Sequence, residues 1–274
     1  MSPEPISLAP ASLTATTSTP NASTRISAAQ SLLTDDERRL LGHTMFVRRR
    51  LEDQYENLEQ QHQTATTGMW VFLATEVMFF GTLFLALSVY RLQYAEAFEA
   101  ASVRLNWVIG GINTIVLLVS SFTIVLAVHY AKLGKQRQVV ACLGLTALLG
   151  IGFLALKGVE YYMDYLEYLI PGSWRFNPDE WTTKQGLAAG EVPHVQLFLL
   201  FYWIMTGFHA LHVTIGIVAV LIIMALAWKG SFSPVYYSPV DVLALYWHFV
   251  DVVWIFLLPM LYLLGTHGGE RLGL

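Results

Sequence analysis

The chain holds one cysteine in 274 residues, Cys142, and it stands in an apolar run. An intrachain disulfide, a thiolate cluster or a copper centre held by a cysteine pair each need at least two, so all three are excluded. Charge is also scarce: Asp, Glu, Lys and Arg make up 13% of the chain, against about 25% in soluble domains. That is too little to coat a globule of this size, so the apolar surface must face something other than water. No basic excess exists either. A net charge of −4 offers no electrostatic footprint for nucleic acid. An apolar leader is missing from the start of the chain, so no cleavable signal peptide is expected.

Apolar length is what the chain has in abundance. Hydrophobic residues are 55% of the total and the mean hydropathy is +0.50. A helix crossing a bilayer needs about 20 predominantly apolar residues, and five stretches supply them: 68–91, 106–129, 138–162, 194–228 and 241–264. Backbone polar groups in lipid must be paired within the segment, so each stretch is expected as a continuous helix. The fold class is therefore all-α: an integral membrane protein of five transmembrane helices, with a membrane domain over 68–265.

Before it, residues 1–33 are rich in Ser, Thr, Ala and Pro and read as a flexible tail. Residues 34–67 are charged and helix-favouring, with Thr34 and Glu37 spaced as a capping box, and read as a polar helix on the membrane surface or against a partner. Residues 266–274 form a C-terminal tail. Arg48, Arg49, Arg50, Lys132, Lys135, Arg137 and Lys229 fall on one side of the spans, and the acidic connector with Asp164, Glu167, Asp179, Glu180 and Glu191 on the other. By the positive-inside rule the N-terminus is cytoplasmic and the C-terminus external, that is, periplasmic.

Ionisable groups inside a bilayer are costly and usually face protein or a water-filled cavity. Glu76 lies about two turns into span one. Glu160 ends span three, and Lys157 one turn before it is placed to pair with it at i,i+3. His209 and His212 share one face of span four, and His248 and Asp251 one face of span five. Together they could furnish six metal ligands. Di-iron carboxylate bundles, however, repeat Glu-x-x-His on two helices, and that repeat is absent; the pairs are read as lipid-cleft or packing groups, with no metal assigned. Glu76 has no basic neighbour within a turn. It reads equally as a proton-exchanging carboxyl or as a neutral acid bonded across a helix interface, with Asn113 or Thr114 as the expected partner. Asn113, Thr114, Ser120, Ser121 and Thr123 mark span two as a packing face. Trp70, Trp107, Trp203, Trp247 and Trp254 lie at or near span ends and are expected at the membrane interface.

These segments together resemble one family. Thr75-Glu76-Val77-Met78-Phe79-Phe80, Asn113-Thr114 followed by Ser120-Ser121-Phe122-Thr123, Glu160-Tyr161-Tyr162, Gly207-Phe208-His209-Ala210-Leu211-His212-Val213 with Gly216, and Trp247-His248-Phe249-Val250-Asp251-Val252-Val253-Trp254 are similar, in order, to subunit III of the haem-copper oxidases that use cytochrome c or quinol. The match is to the five-helix bacterial form, since no pair of helices precedes the helix of Glu76. Lys157 and Gly158 depart from the family, as does the long connector between Tyr162 and His194.

The resemblance implies a non-catalytic, cofactor-free subunit of a respiratory terminal oxidase in the bacterial cytoplasmic membrane. Its partners would be the catalytic subunit I, holding haem and copper, and the copper-binding subunit II, with a respiratory supercomplex as a further setting. It would stabilise the catalytic subunit and proton uptake while the complex reduces dioxygen to water, and would hold structural phospholipid in a cleft between spans one and two and spans three to five. Glu76 matches the family's carbodiimide-reactive carboxyl. An accessory subunit of a quinol oxidase or a nitric oxide reductase is the alternative. A transporter is disfavoured by the lack of an internal repeat and by Pro259 being the only proline well inside a span.

Overall fold

The computed structural model describes residues 55, 57–172, 176–183 and 185–263. The expected tail over 1–33, the capping box at Thr34 and Glu37, and the tail over 266–274 lie outside the described residues, as does all but the end of the expected polar helix.

Among the described residues every regular element is helical. In chain order they are α1 (Leu58–Gln93), α2 (Ala95–Ser102), α3 (Trp107–Lys132), α4 (Gln136–Leu166), α5 (Pro178–Thr183), α6 (Val192–Trp228) and α7 (Ser238–Tyr262). Five of these, α1, α3, α4, α6 and α7, are long and apolar enough to cross a membrane, matching the five spans read from hydropathy. Local chemistry sets their ends. The Asn57 side chain caps α1 by accepting from the Gln60 amide at 2.8 Å, and Asn106 caps α3 by accepting from Val108 and Ile109 at 3.2 Å. Proline opens α6 and α7, where its missing N–H costs nothing. Gly134 and Gly230 carry the positive φ angles that turn α3 into α4 and end α6.

The helices outrun the spans. α1 begins at Leu58, ten residues before the apolar stretch, and at 36 residues its length is about 54 Å, against a hydrocarbon core of about 30 Å. α4 likewise continues to Leu166. Hydropathy measures only the length in lipid, whereas polar helix formers carry the helix further. One consequence corrects the sequence reading: Asp164, taken as part of an external acidic connector, is inside α4 and only 5% exposed.

The grouping of the helices also differs from the expectation. Span two was expected beside span one, across a cleft from the others. Instead α3 is bonded to α4 and α7. Thr123 meets Thr146 hydroxyl to hydroxyl at 2.7 Å, Trp247 Nε1 donates to Ser120 Oγ at 2.8 Å, and Trp254 Nε1 donates to Thr114 Oγ1 at 3.0 Å. The hydroxyl-bearing face of α3, read from the sequence as a packing face, is what draws it against α4 and α7. α1 lies against α6 and α7 through aromatic contacts such as Phe79–Phe208 (5.2 Å) and Phe84–Phe256 (6.3 Å).

The same hydrogen bonds correct the assignment of two tryptophans. Trp70 and Trp107 are exposed as expected, but Trp247 and Trp254 are 1% and 0% exposed. Trp247 fits because two helices present glycine to its ring. A Cβ on Gly150 would lie 2.9 Å from it and one on Gly216 3.0 Å.

At one end of the bundle the starts of α1, α4 and α7 meet the ends of α3 and α6, with His62 of α1 facing Asp241 of α7 at 3.6 Å. At the other end α2, α5 and their connectors fold over the helix ends. Arg104 joins Glu180 at 3.2 Å and Glu167 at 3.6 Å and lies 5.7 Å from the ring centre of buried Trp181.

Candidate functional site

Glu76, on α1, meets His212 of α6. Its Oε2 is 3.2 Å from His212 Nε2, with the two side chains 19% and 13% exposed. The other ring nitrogen, Nδ1, is 2.8 Å from the Phe208 carbonyl. A carbonyl only accepts, so Nδ1 carries a hydrogen. The proton of the pair then sits either on Glu76, donating to a bare Nε2, or on Nε2, facing a carboxylate. Both arrangements are neutral overall, and they differ only in the position of one proton. This is how a carboxyl is accommodated in an apolar helix face without a lysine or arginine. Phe80 stands edge-on to the imidazole at 5.3 Å, and Tyr246 donates to the His212 carbonyl at 2.9 Å, fixing α7 against the same turn. The expected partners on span two are not used: Asn113 is buried elsewhere in the packing and Thr114 accepts from Trp254. The i,i+4 path from a basic residue, the only one sequence can inspect, missed a histidine on another helix.

Glu160 belongs to a second and separate cluster. Lys157 Nζ lies 3.1 Å from Glu160 Oε2, the i,i+3 pairing expected, with side-chain exposures of only 2% and 1%. The contact acts through charge, because the aligned hydrogen bonds of the lysine go to tyrosines: Tyr202 Oη at 3.2 Å and Tyr262 Oη. Tyr262 Oη in turn donates to Glu160 Oε1 at 2.6 Å, and Tyr202 Oη faces Asp164 Oδ2 at 2.7 Å and Glu160 Oε1 at 3.1 Å. One cation, two carboxyls and two phenols thus close a network across α4, α6 and α7. Four aromatic rings surround the ammonium, with centroids between 4.8 and 5.4 Å from Nζ. Sequence inspection overlooked Asp164, Tyr202 and Tyr262. A signal existed: Lys157, Glu160 and Asp164 stand at i, i+3 and i+7, one face of one helix, and a tyrosine inside a span needs a partner for its hydroxyl.

The remaining candidates stand apart. His248 Nδ1 is 2.6 Å from Ser121 Oγ, joining α7 to α3. His209 is 1% exposed and lies between the rings of Phe153 (5.6 Å) and Trp254 (5.1 Å). Asp251 is buried on the α7 face that carries Trp247 and Trp254. The six intramembrane candidates are thus brought together only as Glu76 with His212. Among the described residues no three His, Cys, Asp or Glu side chains converge as metal ligands.

The family model described as cytochrome c oxidase subunit III matches residues 196–266, which span most of α6 and all of α7 with His209, His212, His248 and Asp251. Quinol oxidase subunit 3 of Bacillus spizizenii is 32% identical over 220 residues, covering 77% of this chain and 94% of that protein. Cytochrome bo(3) ubiquinol oxidase subunit 3 of Pseudomonas aeruginosa is 30% identical over 200 residues, covering 73% and 84%. Cytochrome c oxidase subunit 3 of a Synechocystis strain is 32% identical over 201 residues, covering 72% and 74%. With five apolar helices and relatives of this extent, the chain is a multi-pass bacterial membrane protein and belongs to the subunit III family of the haem-copper oxidases.

Proposed function

We propose that the chain stabilises the catalytic subunit of a respiratory terminal oxidase and supports its proton uptake, while holding structural phospholipid and carrying no redox centre itself. The observation that supports this reading best is the Glu76–His212 pair, a proton-holding couple on the seam between α1 and α6. The outer faces of α1 and α3 add to it. Met78, Leu85, Ile115 and Phe122 are exposed there, an apolar surface of the kind that lipid or a partner subunit covers. The partners in this reading are the haem- and copper-holding subunit I and the copper-binding subunit II, with the N-terminus cytoplasmic and the C-terminus periplasmic. The lipid of this reading lies against the outer apolar surface of α1 and α3.

Cytochrome c is the electron donor in the first form of this proposal. Quinol is the second, and it is favoured by the similarity to the Bacillus quinol oxidase and Pseudomonas ubiquinol oxidase subunits. Oxygen consumption by the purified complex with reduced cytochrome c or with a quinol separates the two.

The test of Glu76 uses the assembled oxidase. A carbodiimide attacks a protonated carboxyl in apolar surroundings, so it reports on which member of the pair holds the proton. Mass-spectrometric mapping at neutral pH is expected to find Glu76 labelled before Glu96, Glu99 and Glu191, which lie outside the spans. Glu76→Gln keeps a donor for His212 Nε2 and is expected to assemble normally. Glu76→Leu leaves that nitrogen unpaired and is expected to cost about 1–3 kcal/mol, read as earlier loss of the chain from the complex on heating. Labelling confined to those acids would place the proton on His212 and remove the carboxyl from the proposed role.

A further inference from the structure

We propose that the groove between the first turn of α4 and the last turn of α6 binds the headgroup of an anionic phospholipid. The groove has a volume of about 340 Å³ and is lined by Gln136, Arg137, Val140, Ala227 and Trp228. Its composition is that of a lipid site: an apolar floor from Val140 and Ala227, a cation at the rim, and the Trp228 ring, 79% exposed, at the end of a helix long and apolar enough to cross the membrane. Amphipathic rings favour the level of the headgroups.

Charge decides the sign of the ligand. Helix N-termini are electropositive and favour acids in the first turn, yet the first turn of α4 has no acidic residue and no side-chain cap, and it carries Arg137. Lys229 follows Trp228 at the end of α6. Both cations are exposed and neither makes an ion pair among the described residues. Lys132 and Lys135, engaged over the rings of Tyr237 and Tyr130, add to the positive field at the same end. Among the described residues, the acids of the α1 and α7 first turns are occupied: Asp241 faces His62 at 3.6 Å and Glu59 accepts from Gln63 at 3.0 Å. A phosphodiester seated in the groove would offset this excess while its acyl chains run along Val140 and the outer face of α6. The apolar walls select a lipid over free phosphate. The inference rests on the reading of the protein as a lipid-holding subunit and adds the site and the headgroup class.

The experiment places the intact oxidase complex in phosphatidylcholine nanodiscs containing a photoreactive phosphatidylglycerol, or a photoreactive phosphatidylcholine of the same acyl chain, and maps adducts by mass spectrometry. Phosphatidylglycerol adducts are expected on residues 136–140 or 227–229, with the phosphatidylcholine probe at least about 5-fold weaker. Arg137→Gln with Lys229→Gln should lower them about 30-fold, with adducts elsewhere on the chain unchanged and millimolar inorganic phosphate without effect. Equal labelling by both probes, labelling that survives the double substitution, competition by phosphate, or cross-linking of the groove to another subunit would each overturn the site. If these residues stay unlabelled while anionic lipid labels another face of the chain, this site fails and the lipid-holding reading stands; a chain with no lipid adduct anywhere overturns both.

Discussion

Replacing Lys157 by methionine is expected to remove most of the folded protein from the membrane. The lysine is the one cation in a network that holds Glu160, Asp164 and the hydroxyls of Tyr202 and Tyr262, all buried between α4, α6 and α7. Methionine has nearly the volume of lysine, so the packing around it survives and the loss is electrical. Two buried carboxyls are left facing each other with only phenolic hydrogens to satisfy them. Breaking a buried ion pair from one side costs about 3–5 kcal/mol, a large part of the 5–15 kcal/mol by which a folded protein is ordinarily stable. Lys157→Met combined with Glu160→Gln and Asp164→Asn should recover most of that loss, because uncharged groups of the same shape need no cation. The readout is the midpoint of thermal unfolding in detergent, together with the yield of chain in the membrane fraction. A single Lys157→Met variant as stable as the parent would show that the cluster is solvated and contributes no net stability.

The second large effect is steric. Trp247 packs its six-membered ring against two glycines, Gly150 and Gly216, and its indole N–H is tied to Ser120 Oγ at 2.8 Å. Gly150→Ala places a methyl 2.9 Å from its ring and 3.1 Å from Ile217. Gly216→Ala brings one to 3.0 Å of the ring and 3.2 Å of Tyr246. Each is expected to destabilise by about 1–3 kcal/mol, and the double variant by at least the larger, as the ring then meets a methyl from both helices. Gly152→Ala on the same turn of α4 has nothing within 4 Å of its new methyl and should gain about 0.5–1 kcal/mol from helix propensity. Unfolding midpoints in one detergent give the comparison. Equal behaviour of Gly150→Ala and Gly152→Ala would mean that the α4–α6–α7 contact is loose enough to absorb a methyl.

Much of this molecule is legible from the chain alone, and the reason it stops where it does is physical. Hydropathy locates five helices because lipid demands length. The segments around Glu76, His212 and His248 carry the family because their residue types are rare in a bilayer. Helix rotation is what the sequence does not reveal. A soluble helix marks its buried side by apolar spacing, whereas α6 is apolar on every side, so nothing in its spacing tells that Tyr202 turns inward to Lys157. Trp247 and Trp254 were placed at the interface because tryptophan usually sits there; the cue that they are buried lies on other helices, in Gly150, Gly216, Ser120 and Thr114. For the same reason Glu76 was matched with neighbours on span two rather than with His212, 136 residues away. Asp164 reads as part of a connector because hydropathy ends at Tyr162, whereas the helix continues to Leu166. His209 is buried between the rings of Phe153 and Trp254, and Asp251 on the α7 face of Trp247 and Trp254, positions that no spacing in the chain reveals.

The most direct measurement of the central claim is retrieval of the complex through this chain. An affinity tag on the chain, purified in mild detergent from its own cell membrane, should bring down a haem-containing catalytic subunit in about equal amount, with the oxidase absorption spectrum and oxygen consumption inhibited by cyanide. Glu76→Gln should be retrieved with the same haem content, since the pair with His212 keeps its hydrogen bond. A chain that purifies alone from membranes rich in active oxidase, or that carries a bound metal without any haem subunit, would contradict the assignment.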